Sequence, residues 1–189
     1  MRRKAKRAFT QGCIQAIKRQ VYCSIGESAQ MNNETLPTLK DVMRRVAATV
    51  CVISFDSPDG PQGITVSSFT SVSMEPPTVL YCVNRLASVY MHLKDVKSYC
   101  VNILHANQTD VSQYFVTRAD DAEPVNWGVI DGVPVLKDAQ CNIVCESKDR
   151  TAVGTHDVFF GEVRSVAIRD DVAPLGYLNG RYCQFISDD

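Results

Sequence analysis

The chain holds no Cys-x-x-Cys pair, no Gly-x-Gly-x-x-Gly run and no Gly-x-x-x-x-Gly-Lys-Ser/Thr loop. The first absence argues against a zinc ribbon; the other two argue against a nucleotide-binding, doubly wound α/β sheet. No His/Asp/Glu cluster has metal-ligand spacing, so no metal is expected, and no Ser/His/Asp triad is suggested. No apolar run approaches the roughly 18 residues that cross a bilayer. The basic start is not followed by the compact apolar segment of a secretory signal. There is no long repeat and no low-complexity tract, and tryptophan occurs once.

What is present fits one globular domain with a short appendage. The chain has 189 residues, 45% hydrophobic and 22% charged, enough for a sizeable core. Its net charge of −1 hides an asymmetry. Arg2, Arg3, Lys4, Lys6, Arg7, Lys18 and Arg19 precede residue 30 against a single acid, Glu27, which leaves the remainder acidic. Residues 1–35 therefore read as a basic, flexible extension and 36–189 as the domain. The extension is open to three readings: a nucleic-acid or membrane-surface arm or organellar leader, a solvated tail, or a segment ahead of a start at Met31. The acidic domain itself is expected to bind neither nucleic acid nor membrane. Eight cysteines without a pairing pattern read as reduced, mostly buried thiols of a cytoplasmic protein.

The pattern predicts a helix from Thr38, with Thr38 and Asp41 as a capping box. A buried strand follows over 49–56, a turn over 57–63, and then the run from Ile64 to Ser73 as one strand. Further strands are expected over 78–84, 98–104, 140–147, 156–168 and 181–185. Helices are expected over 87–96, capped by Ser88, and over 107–116, capped by Asn107. Residues 117–135 read as a long loop. Strands outnumber helices without regular βαβ alternation, which points to a mainly β fold: an antiparallel barrel with flanking helices.

The strand from Ile64 to Ser73 is unusual. It carries Thr65, Ser67, Ser68, Thr70, Ser71 and Ser73 and no charge at all. On its own this is either a ligand-facing wall or a hydroxyl-rich edge strand that binds nothing. In "NRLAS", Asn84 ends a strand, Arg85 brings a fixed positive charge, and Ser88 opens a helix, a combination that suits an anion. Ser caps and surface arginines are also common. His156 in "GTHD" follows a glycine at a strand start, where it is either a functional group or a bridge between turn backbone groups.

Six blocks in order resemble the flavin reductase-like family, whose fold is the FMN-binding split barrel: "GITVSSFTSVSMEPP", "VLYCVNRLASVY", "YCVNIL", "PVL", "VGTHDVFFGEV" and "GRYCQF". The resemblance spans about Leu39 to Phe185. The "GTHD" form, with Thr155 before the histidine, looks like the branch of pyrimidine-degradation and hydroxyphenylacetate monooxygenase reductases. The resemblance implies an NAD(P)H:flavin oxidoreductase using FMN, or FAD, with NADH or NADPH as cosubstrate. It implies a homodimer that supplies reduced flavin to a partner monooxygenase. Thr65, Val66, Ser67 and Ser68 would meet the flavin edge. Asn84, Arg85, Ala87 and Ser88 would hold ribityl and phosphate, and Thr155 would also touch the flavin. His156 would face the nicotinamide, with Tyr182 as a wall or a core residue. Two other classes stay open: a non-catalytic FMN-binding module, and an interaction protein working through its basic tail.

Overall fold

The computed structural model describes residues 37–117 and 125–185; the basic extension, and residues 118–124 of the expected loop, lie outside these. The helix from Thr38 is α1 (Leu39–Met43), and its capping box is present in both directions. The strands are β1 (Ala48–Thr49), β2 (Cys51–Ser57), β3 (Gly60–Val66), β4 (Thr70–Met74), β5 (Pro77–Asn84), β6 (Ser98–Ile103), β7 (Trp127–Ile130), β8 (Val133–Leu136), β9 (Cys141–Val153), β10 (His156–Ile168), β11 (Leu175–Leu178) and β12 (Arg181–Gln184). Helices α2 (Tyr90–Leu93) and α3 (Thr109–Thr117) flank β6 in sequence.

Seven strands form one antiparallel sheet in the order β3-β2-β6-β9-β10-β5-β4. The hydroxyl run is therefore not one strand. It splits into β3 and β4, neighbours in sequence at opposite edges of the sheet, and residues 67–69 carry the chain across. Ser68 ties this crossing to β5: its hydroxyl donates to the Cys82 carbonyl at 3.1 Å and accepts from the Cys82 amide at 2.9 Å. A side chain thus satisfies the backbone of β5 where a strand partner would otherwise do so. This is the barrel the pattern predicted, and its seam lies inside the stretch expected to bind flavin.

The barrel interior is aromatic. Tyr81 stacks on Phe159 with ring centroids 5.1 Å apart, and Tyr99 meets Tyr81 edge-on at 5.1 Å. Burial raises the Tyr81 and Tyr99 phenols well above their usual range. Gly161 makes room for this cluster: a Cβ there would lie 1.9 Å from the Tyr99 hydroxyl. A second layer packs outside β2, where Val50, Val52, Leu104, Phe115, Leu136 and Leu175 gather. Strand β2 is buried on both faces, which explains its unbroken apolar run. The buried Asn102 ties β8 onto the sheet, donating to the Val52 carbonyl and the Ser54 hydroxyl and accepting from the Leu136 amide, each at 2.8 Å.

Several expectations are corrected. The loop over 117–135 contains the β7–β8 hairpin, and Trp127 packs edge-on against Phe115 at 5.9 Å. Strand β9 continues six residues past the expected end at Ser147, because the charged stretch "KDRTAV" forms an exposed arm paired with β10. Strand β11 went unread. Helix α2 begins at Tyr90 with Val89 at its N-cap and no side-chain cap, so Ser88 does not cap it. Helix α3 begins at Thr109; the Asn107 carboxamide instead meets His105 Nδ1 at 2.6 Å. Six cysteines fall among the described residues and all are free thiols. Burial pushes Cys51, Cys100 and Cys145 up to about 12.

Candidate active site

A furrow runs along the end of β3. Its central cavity, 280 Å³, is lined by Thr65, Val66, Ser67, Ser112, Tyr177 and Tyr182 together with Val50 and Val116. The wall is held by a chain of hydroxyls. Thr65 donates to the Ser112 carbonyl at 2.9 Å, and the Ser112 and Tyr182 hydroxyls lie 3.0 Å apart. Tyr177 braces Tyr182 edge-on at 5.7 Å. A 240 Å³ cavity on one side shares Thr65 and Val116 and adds Ala87 and Ser88. A 260 Å³ cavity on the other shares Ser67 and Tyr177 and adds Lys40, Met43 and Arg44 of the α1 region. Among the described residues, the linings of all three cavities include no carboxylate, while the α1 end brings two cations.

The ends of β5 and β10 form a second group. His156 pairs with Asn84 across the ladder. Thr155 places its hydroxyl 2.9 Å from His156 Nδ1, and the imidazole is exposed. The Asn84 side-chain Oδ1 accepts from the Leu86 amide at 2.9 Å, and its backbone carbonyl accepts from the Ala87 amide at 2.9 Å, which fixes the turn toward Ala87 and Ser88. Arg85 lies in the turn just past the end of β5. It donates to the Gly154 carbonyl, and its Nε lies 3.7 Å from Asp157 Oδ1. Asp157 is only 4% exposed. Its other oxygen accepts from Tyr90 Oη at 2.5 Å and pairs with Arg150 Nη1 at 3.3 Å. That hydrogen bond, with burial second, raises the Tyr90 phenol above its ordinary value, so it stays a donor.

Of the residues expected from the sequence, Thr65, Val66, Ser67, Ala87, Ser88 and Tyr182 line one continuous set of cavities. Asn84, Thr155 and His156 meet at the adjoining strand ends. Ser68 is committed to Cys82 at the seam. Sequence reasoning missed Ser112, Tyr177, Lys40 and Arg44, which come from distant segments and carry no local signal. It named Arg85 but missed Asp157, Arg150 and Tyr90, which gather around it. There the signal existed: Asp157 and Phe159 share the inward period of β10, and an acid at an inward position requires a cation or a donor.

The flavin reductase like domain matches residues 43–185. An FMN reductase (NADH), RutF, of Pseudomonas syringae pv. syringae is 35% identical over 147 residues, covering 76% of this chain and 83% of that one. The flavin reductase PheA2 superposes with a TM-score of 0.74 at 30% identity, over 78% of this chain and 96% of that one. The styrene monooxygenase flavin reductase of Pseudomonas putida S12 superposes with a TM-score of 0.73 at 27% identity, over 79% and 97%.

Proposed function

The chain belongs to the flavin reductase-like family, and from that premise we infer that it is an NADH-dependent flavin reductase that serves a separate monooxygenase. The observation that carries this reading is the furrow wall of hydroxyls and strand backbone without a carboxylate. Bound FMN, or FAD in its place, supplies the hydride acceptor. Its heteroatom edge needs small donors and acceptors at close range, and the donor set at Thr65, Val66 and Ser67 fits that demand. An acid in the wall would oppose the negative charge that accumulates on reduction. Lys40 and Arg44, beyond Ser67, favour it. Ala87 and Ser88 extend the furrow toward Asn84 and Arg85, which suit the ribityl and phosphate groups.

Hydride transfer needs no nucleophile from the protein; it needs the donor held in place. His156 is the group suited to that. Thr155 fixes its Nδ1, leaving Nε2 to meet a carboxamide. Tyr182, which lines the central cavity, suits a wall beside the flavin. The test is absorbance of the purified protein titrated with FMN, followed by NADH or NADPH. Bleaching with turnover is expected. Binding without bleaching would leave a flavin-binding module, and no binding would remove the flavin site altogether.

We further propose that the protein is a homodimer. The outer face of β5 and β10 leaves Leu80, Cys82, Val158 and Phe160 half-exposed beside Val72 and Val153, which are 50% and 58% exposed. A second copy covering this face would bury apolar surface next to Asn84 and His156. Sedimentation equilibrium is expected to give twice the chain mass; a monomer at micromolar concentration overturns the assignment.

A further inference from the structure

Ser112 joins two walls of the furrow and sets which way their hydrogens point. It stands on α3 with no exposed surface. Its carbonyl oxygen accepts from the Thr65 hydroxyl of β3 at 2.9 Å, and its own hydroxyl lies 3.0 Å from that of Tyr182 on β12. All three residues line the same 280 Å³ cavity. A hydroxyl carries one hydrogen and two lone pairs. Thr65 commits its hydrogen to the Ser112 carbonyl, so it offers the furrow lone pairs alone. The Ser112 hydroxyl has one hydrogen-bond partner among the described residues, Tyr182 Oη. If Tyr182 donated, the Ser112 hydrogen would be buried without an acceptor, and its desolvation would go uncompensated. Ser112 therefore donates to Tyr182, and the half-buried phenol keeps its own hydrogen for the furrow. The wall has a fixed polarity: an acceptor at Thr65 and a donor at Tyr182, both set by one buried residue.

We propose that Ser112 is a positioning residue that, by orienting Thr65 and Tyr182, makes the furrow read the imide edge of the flavin, its N3–H with an adjoining carbonyl oxygen. The proposal rests on the reading that the flavin lies in this furrow. N3–H is the only ring N–H of an oxidised flavin, so an acceptor-only hydroxyl has one ring partner there. N1, O2, O4 and N5 all accept, and each would set lone pair against lone pair at Thr65. Tyr182 supplies the donor for the carbonyl beside N3. A polar site built this way rejects a near-isostere whose donor is blocked, because its own groups are then left unpaired. The pattern is in place before a ligand arrives. Thr65 is laddered to Val52 of β2, and Tyr182 is laddered to Tyr177 of β11, which also braces its ring. With no exposed surface, Ser112 acts through these two groups and not on the ligand.

The test is fluorescence titration of the full-length protein with FMN and with 3-methyl-FMN, in which a methyl group replaces the hydrogen on N3. Wild type is expected to bind 3-methyl-FMN at least about tenfold more weakly than FMN. Thr65→Ala, which leaves room for the methyl, should weaken FMN about five- to tenfold and bring the two ligands within about twofold of each other. Thr65→Ser keeps the hydroxyl and should keep the preference. Ser112→Ala should weaken FMN about three- to fivefold and leave the preference, because the acceptor for Thr65 is a backbone carbonyl. In a Tyr182→Phe background the same substitution should move FMN affinity less than about twofold, since the hydrogen it orients is gone. A Ser112 that only packs α3 would cost the same in both backgrounds, and that result overturns its positioning role. Equal binding of the two flavins by wild type, or a preference that survives Thr65→Ala, overturns the imide reading and leaves the flavin site standing; neither measurement needs a folded Ser112 variant. Failure of wild type to bind FMN at all would overturn the flavin site and this proposal together.

Discussion

His156→Ala is expected to lower kcat/KM for NADH several-fold, up to about tenfold, and to leave the FMN dissociation constant within about twofold. One positioning hydrogen bond to a neutral group contributes roughly 1 kcal/mol, and the exposed ring contributes little to packing. Stopped-flow reduction and flavin titration on the same preparation check this; wild-type kinetics would remove His156 from the site. The two adjacent serines should separate. Ser67→Asp puts a charge into the furrow and should raise the flavin Kd at least about tenfold, near 1.4 kcal/mol, with the melting temperature held. Ser68→Ala removes both bonds to Cys82 and should instead lower stability by about 1 kcal/mol. A melt and a titration on each variant read the split. Sequence alone could not divide these roles. Both serines sit in one uncharged run, and only the crossing from β3 to β4 shows that Ser67 lines the furrow while Ser68 bonds Cys82. His156 was legible because it follows a glycine turn, whereas Arg85 was legible as a charge and not in its direction.

Among the elements, the β9–β10 hairpin constrains the interior most tightly. Gly161→Ala would drive a methyl into the Tyr99 ring, which is enclosed and cannot retreat, so a loss of roughly 1–3 kcal/mol is expected. Urea denaturation measures it; an unchanged midpoint would show that the bulge after Phe160 absorbs the strain. Helix α1 offers a pH test. The Thr38 hydrogen bonds hold the Asp41 carboxyl below its usual 3.8. A carboxylate whose pKa falls on folding stabilises the helix above the unfolded value, and loses that effect as pH drops through the folded one. The cap should therefore be intact from neutral pH down to about pH 4 and fail below it, read from the Asp41 amide shift by NMR. The cap was legible because its signal is four residues long. The β7–β8 hairpin was not, since its strands are four residues long and each carries a breaker, Gly128 in one and Pro134 in the other. Half of β9 was hidden by its own exposure: with both faces in solvent, "KDRTAV" has no alternation to read.

For the whole molecule, deleting residues 1–36 should leave flavin reduction within about twofold, because the family match and every lining residue of the furrow begin later. A collapse in activity with the fold retained would assign the basic segment a part in the reaction. The barrel class was legible from the count and spacing of strands. Its closure was not, because strand order is a long-range property that local periodicity does not encode. That closure also orders events in time. Hairpin β9–β10 joins residues close in the chain, whereas the seam at Ser68 can form only after β3 and β4 have reached opposite edges. Local pairings assemble early and distant ones late, so the furrow beside Ser67 is among the last features to appear during folding and the first to open. Flavin lodged there would act as a brake on unfolding, with little influence on the rate of folding.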